Sequence, residues 1–260
     1  MCILGLWMDG LFASTIVNIE SLRLRAMESL LASEDGEGFA GRLEARLDSS
    51  SGNVDKFSAD FSNTSLWARQ GSYNIFILSG GYGESFSVRN ANRLFVHLRH
   101  VQDISPNLAW EAFTQGQKDE FKRLRFRGLA GGGLRWPLWP SHRDSGLSSY
   151  MGLGAFYSRE DLDPKGLNLA EREEMVRINS YLSLLYQRPQ SPLSFSTTVY
   201  FQPQVDRLKD FHLFWESSLN WPLTPRLGLR LSLDVVHDNW PPAEVKKTDR
   251  RYRMNWTWSY

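Results

Sequence analysis

Residues 227–235 read Leu-Gly-Leu-Arg-Leu-Ser-Leu-Asp-Val, and residues 251–260 read Arg-Tyr-Arg-Met-Asn-Trp-Thr-Trp-Ser-Tyr. Apolar and polar side chains alternate one by one in both. That is the period of a β-strand, whose successive side chains point to opposite faces; a helix repeats its face every 3.6 residues. In the second stretch Tyr252, Met254, Trp256, Trp258 and Tyr260 oppose Arg251, Arg253, Asn255 and Thr257.

Moving back toward the N-terminus, the same period recurs. Phe211, Leu213, Trp215, Leu219 and Trp221 oppose His212, Glu216 and Asn220, and Leu193 to Phe201 alternates with serine, threonine, Tyr200 and Gln202. Val176 to Tyr186 and Met151 to Tyr157 carry two more runs, and Leu124 and Phe126 face away from Arg123, Arg125 and Arg127. A run centres on Trp110 to Phe113; Leu94, Val96 and Leu98 oppose Arg93, His97 and Arg99. Phe39 to Asp48, a run through Phe57 and Phe61 to Trp67, and Tyr73, Ile75 and Ile77 complete the set, the last with its phase blurred by Phe76 and Leu78. Gly131 to Gly133 inside a strand signal tight curvature or something packed closely against the wall. The runs number about twelve, each of about ten residues, the length that crosses a bilayer at a tilt.

The composition narrows the classes. Thirty Lys and Arg stand against twenty-nine Asp and Glu, so the chain carries no basic field for nucleic acid. Hydrophobic residues at 42% argue against disorder. A single cysteine, Cys2, excludes a disulfide scaffold or a cysteine-rich zinc module. No uninterrupted apolar run is long enough for a membrane helix. What remains unusual is ten tryptophans in a chain with 23% charged residues.

A soluble sandwich and a membrane barrel both alternate, and three features favour the barrel. Short connections (Ala68 to Ser72, Arg188 to Pro192, Leu223 to Arg226) interleave with longer ones (Gly83 to Asn92, Glu160 to Met175, His237 to Asp249), as periplasmic turns and outer loops do. Trp136 to Gly146 is a long connection on the short side. Trp67, Tyr73, Tyr157, Tyr186, Trp221 and Trp258 fall on the apolar phase at strand ends, where aromatic girdles lie. Trp256, Trp258 and Tyr260 end the chain on that phase and read as a C-terminal assembly signal. Cost then assigns the faces. An arginine turned to lipid at mid-depth costs on the order of 2–4 kcal/mol, so a dozen would exceed the roughly 5–15 kcal/mol that holds a domain together. Arg42, Arg46, Arg93, Arg99, Arg123, Arg125, Arg127, Arg135, Arg177, Arg230, Arg251 and Arg253 are therefore read as lumen-lining, with Glu111 and Glu216 as partners in an ion-pair lattice or an anion path. The sequence predicts an all-β, antiparallel transmembrane barrel with an even number of strands, about twelve, over residues 38–260. Residues 1–37 form an N-terminal lead-in, with a weak or truncated signal segment as the alternative: the start is apolar but lacks a basic head, and Asp9 interrupts it.

Particular segments carry a further resemblance: Ser51-Gly52-Asn53; Gln115 with Asp119-Glu120-Phe121, Leu124 and Arg127; Gly131-x-Gly133-Leu134-Arg135; Tyr200-x-Gln202-Pro203; and Asp238 to Asp249 with its Pro241-Pro242 and Val245-Lys246-Lys247. In order and spacing they resemble the DUF481 family, associated with salt-induced outer-membrane proteins of Gram-negative bacteria, over roughly residues 38–260. The resemblance implies a β-barrel in the outer membrane and no established activity.

The chemistry expected is non-enzymatic. No Gly-x-Ser-x-Gly elbow is present, and His97 and His100 fall on opposite strand faces, a poor metal pair. Asp161, Asp163, Glu171, Glu173 and Glu174 read as a solvated acidic loop, and Gly128 to Gly133 lacks the lysine and helix of a phosphate loop. No metal and no cofactor are expected. The expected role is structural, in envelope stress, or in porin-like permeation of small solutes or ions. Partners would be outer-membrane lipid and the barrel-assembly machinery, without nucleic acid. The alternatives are a barrel enzyme acting on lipid, which needs a His and a Ser together at the outer face, and a soluble β-sandwich binding module.

Overall fold

The computed structural model describes residues 37–139, 146–163, 171–187, 193–224, 226–241 and 245–258. The lead-in before residue 37, His142 and Tyr260 lie outside the described residues. Twelve strands follow one another: β1 (Gly38–Ser50), β2 (Lys56–Arg69), β3 (Ser72–Ser85), β4 (Val88–Ser105), β5 (Leu108–Asp119), β6 (Leu124–Trp139), β7 (Leu147–Leu162), β8 (Glu171–Gln187), β9 (Ser194–Pro203), β10 (Phe211–Pro222), β11 (Leu227–Asp238) and β12 (Thr248–Trp258). A one-turn 3-10 helix, Glu120–Lys122, sits between β5 and β6. All twelve form one antiparallel sheet in sequence order, each strand paired to its neighbours in the chain. No described helix is long and apolar enough to cross a membrane, which says nothing of strands.

The sheet has two unlike ends. Connections after the odd-numbered strands (51–55, 86–87, 120–123, 163–170, 204–210, 239–247) gather at one, the loop end. Those after the even-numbered strands (70–71, 106–107, 140–146, 188–193, 223–226), with the start of β1 and the end of β12, gather at the other. The seven-residue connection 140–146 is long for its end, in keeping with the length read from Trp136 to Gly146.

Contacts between strands that are not neighbours show that the sheet is curled. Tyr181 of β8 donates its hydroxyl to Glu111 Oε2 of β5 at 3.0 Å, and Arg135 Nη1 of β6 donates to the Tyr73 hydroxyl of β3 at 3.0 Å. Arg99 of β4 lies 5.8 Å from the Tyr181 ring centroid. The burial on the two faces is inverted relative to an ordinary core. Among the described residues, buried polar and charged side chains outnumber buried hydrophobic ones. The outward face carries Leu94, Leu98, Met151, Leu153, Leu182, Trp215 and Trp221, all exposed.

Two apolar patches line the inner face. Leu66, Ile75, Ile77 and Phe95 pack beside Ala40, Ala68 and Tyr73 on β1–β4. Tyr181, Tyr200, Phe214 and Val236 form a row across β8–β11, each opposite the next in register. Glycines keep the wall bare where Tyr181 crosses it. A methyl group at Gly152 would overlap Tyr181 Cε1, and one at Gly133 would sit 2.7 Å from Gly154 Cα. The Gly131–Gly133 signal is thus a close approach of β6 to β7 under a side chain reaching from β8 to β5.

Three sequence expectations change. The long connection from Gly83 to Asn92 is instead a two-residue turn, Phe86-Ser87, because β3 and β4 continue through a register shift at Gly83/Glu84. The Arg123, Arg125, Arg127 ladder does not form. Arg123 closes the 3-10 helix in the left-handed region, and a bulge between Leu124 and Phe126 leaves Leu124 buried, Phe126 exposed and Arg125 exposed. Tyr73 turns inward to Arg135 rather than joining the outward aromatics, since β3 carries Ile75 and Ile77 on its inner phase.

Candidate functional site: an ion-paired cavity at the loop end

The interior polar groups sort by depth. At mid-height Arg99 and Glu111, each 2% exposed, are 3.5 Å apart, and Tyr181 adds a second donor to the same carboxylate. Alongside, His97 Nδ1 meets Gln115 Oε1 at 3.1 Å, Gln115 Nε2 donates to Gln117 Oε1 at 2.9 Å, and Gln202 Nε2 donates to Asn179 Oδ1 at 2.8 Å. Side chains fill this level, leaving a void of about 40 Å³ among His97, Arg99, Gln115, Asn179 and Gln202.

Nearer the loop end the interior widens into a cavity of about 500 Å³, within the range of small-molecule sites. Two ion pairs and a histidine–carboxylate contact stand in its wall. Arg127 Nη2 donates to Glu160 Oε2 at 2.7 Å, with Nε 2.6 Å from Oε1. Arg177 Nη2 donates to Asp210 Oδ1 at 2.8 Å, and its Nη1 reaches the carbonyl oxygens of Gln202 and Asp210 at 3.2 and 3.3 Å. His212 Nε2 lies 3.3 Å from Asp238 Oδ2. Phe121, Leu124, Leu162, Met175 and Trp240 supply the apolar part, and Arg207 stacks 5.6 Å from the Trp240 ring centroid.

Among the cations of the wall that are shielded from solvent, Lys122 is the least well matched. The turn that holds it is fixed by Asp119, whose Oδ1 accepts from the Phe121 N–H at 3.1 Å as a helix N-cap, with Arg123 in the left-handed region ending it. This folds the Lys122 side chain inward, where Nζ is closed to solvent, makes no hydrogen bond to a described residue, and finds Asp119 Oδ2 at 3.8 Å. Burial is the main force on its charge and pushes the amine down to about 7, with Asp119 and then Asp249 partly opposing. Glu120 beside it faces water; hydrogen bonds from Asn92 and Arg89 hold its carboxyl below the usual range.

Of the residues read as lumen-lining, Arg99, Glu111, Arg127 and Arg177 are buried in the interior. Arg93 is half-buried and pairs with Asp60 at 2.8 Å; Arg253 pairs with Asp234 at 2.7 Å; Arg230 Nε meets Asn220 Oδ1. Glu216 and Arg251 lie at the same level, opposite Asp234 in register from either side. Arg42 and Arg46 stand exposed on β1 beside Glu44 and Asp48. Trp67, Tyr157, Trp221 and Trp258 are exposed on the outward face, and Tyr186 is half-exposed there. Trp256 projects outward on β12.

Lys122, Glu160, Asp210, His212 and Asp238 were not singled out from sequence as a site. A signal did exist: Phe121, Leu124, Arg127, Asp238, Val245 and Lys246, all inside the segments that carry the family resemblance, converge on the cavity. As donors, Asp210, His212 and Asp238 place one atom each within 4.8 Å of one another and could approach a cation, although the Arg177 guanidinium on Asp210 opposes it. The described histidines are engaged as follows: His97 with Gln115, His100 with Asn74, His212 with Asp238 and His237 with the Thr248 hydroxyl.

Fold and site together define a twelve-stranded antiparallel meander curled around a charged, largely filled interior with one cavity at its loop end. The chain belongs to the DUF481 family, described as proteins of unknown function, whose model matches residues 43–260. A solved structure of the NanC porin, in a rhombohedral crystal form, is similar over 85% of this chain and 99% of that one, at 10% identity and a TM-score of 0.46. No curated protein matches by sequence.

Proposed function

We propose that the chain is an integral β-barrel of the Gram-negative outer membrane, blocked at mid-height by its own side chains and open at the loop end to a small solute. The inverted burial carries this reading. Water favours a sheet whose apolar face is covered, whereas here the apolar face is the exposed one and the ion pairs are inside. Lipid is the solvent in which that arrangement is favourable, and the outward Trp67, Tyr186, Trp221 and Trp258 near the turn end suit its interface. β1 and β12 are the end strands of the described pairing order and run in opposite directions, as an even strand number requires. An unpaired edge in hydrocarbon costs several kcal/mol for each backbone group, so pairing of β1 with β12 closes the barrel. Surrounding lipid and the barrel-assembly machinery are then its partners, and the mechanism is recognition in a charged vestibule, without covalent chemistry.

The test is fractionation of the full-length chain. It should be recovered in the outer-membrane fraction, require detergent for extraction, and migrate faster unheated than boiled on a denaturing gel. Recovery as a soluble protein, or identical mobility heated and unheated after extraction, overturns the reading.

A further inference from the structure

The loop-end cavity itself indicates the chemical class of its occupant. Two of its guanidinium groups and its imidazole face carboxylates, Arg127 at Glu160, Arg177 at Asp210 and His212 at Asp238, and a third guanidinium, Arg207, lies over the Trp240 ring. Lys122 is different. An ammonium offers three N–H donors, and at Lys122 Nζ, shut away from solvent, none of the three is used by a described residue. Asp119 at 3.8 Å supplies charge but lies beyond hydrogen-bond reach. Lys246 and Lys247 of the β11–β12 loop stand in the same wall, while Phe121, Leu124 and Trp240 provide an apolar surface large enough for a hydrocarbon or aromatic body. We propose that this cavity binds a small organic anion, its carboxylate or phosphate head drawing the Lys122 ammonium out of its closed position into the cavity to accept hydrogen bonds from it, and its apolar body lying against Phe121, Leu124 and Trp240. The proposal rests on the barrel reading above and names the ligand of that same vestibule.

The test uses the full chain in a non-ionic detergent, first shown to be heat-modifiable, and titrates it calorimetrically with 4-phenylbutyrate and with 4-phenylbutanol. The acid should bind about tenfold more tightly than the alcohol, and Lys122→Met should weaken the acid by about tenfold while leaving the alcohol unchanged, the effect of one charge-assisted hydrogen bond. Equal binding of acid and alcohol, or an acid affinity untouched by Lys122→Met, overturns the proposal. If Lys122→Met does not fold, the native chain decides: acid binding should fall between about pH 6 and pH 9 as the amine loses its proton, alcohol binding should not, and parallel behaviour of the two overturns it. A chain that fails fractionation sinks the barrel; a heat-modifiable chain with no preference for the acid sinks only this site. Titration in nanodiscs of phosphatidylcholine with and without phosphatidylglycerol identifies the source of the anion. Unchanged affinity is expected for a free solute, and competition by phosphatidylglycerol assigns the site to a lipid headgroup.

Discussion

Lys122 shows how one side chain can couple this fold to pH. Its amine sits near 7 in the folded chain against an ordinary 10.5, the displacement coming chiefly from burial. Between those values the unfolded chain holds a proton that the native chain has released, so stability rises with pH across that window. Below about 7 both states are protonated and the folded state bears the whole cost of a buried ammonium. The apparent unfolding midpoint, read from loss of the fast-migrating gel band, should therefore be higher at about pH 9.5 than at about pH 7.5. Lys122→Met should flatten that dependence and raise the lower value. A midpoint that falls over the same interval in the native chain, or a variant with the same slope, contradicts this assignment. No sequence pattern announces such a residue: Lys122 lies between strands, and its burial follows from a turn shape that Asp119 and Arg123 set together.

At the scale of elements, the turn between β3 and β4 is unusual chemically. A two-residue hairpin of type I′ has both central residues at positive φ, which asparagine and glycine tolerate best. Here Phe86 and Ser87 occupy those positions at φ 49° and 61°, and the Phe86 N–H donates to Asp55 O at 2.9 Å. Replacing Phe86-Ser87 by Asn-Gly keeps that backbone bond, relieves roughly 1 kcal/mol or more of strain, and should raise the urea midpoint; an unchanged or lower midpoint refutes the strain. The same turn marks where sequence reading stopped being informative. Strands over stretches such as 227–235 were legible because one face is uniformly apolar and the period is unbroken. Phe86-Ser87 was not, for it contains no glycine, proline, asparagine or aspartate, and serine is only a weak turn signal. Bulges did further damage to phase. At Leu124/Phe126 a single extra residue reverses which side chains point inward, so an arginine tract evenly spaced in sequence has only Arg127 buried. The cavity was less legible still, because its residues come from β6, β7, β8, β10, β11, β12 and three loops, and only the curl of the sheet gathers them.

For the whole molecule, the mid-height lattice decides what can pass. Arg99, Glu111 and Tyr181 meet across the interior, with the glycines of β6 and β7 giving Tyr181 room to lie flat. Reconstituted native protein should show no steady single-channel current in a planar bilayer, whereas replacing Arg99, Glu111 and Tyr181 together by alanine should open one; sustained current from the native chain would show that the lattice is not a plug. Such a blockage suits a barrel of about twelve strands, between the narrow ones that side chains fill and the wide ones that hold an aqueous channel. The order of pairing has a different consequence. Because every pairing among the described strands joins neighbours in the chain, a whole hairpin can be inserted or lost in the gene without rethreading the rest of the sheet. The loop-end wall is furnished from the β5–β6 turn onward, so β1–β4, lined inside by Leu66, Ile75, Ile77 and Phe95, form the third in which lineages can change circumference while inheriting the vestibule intact.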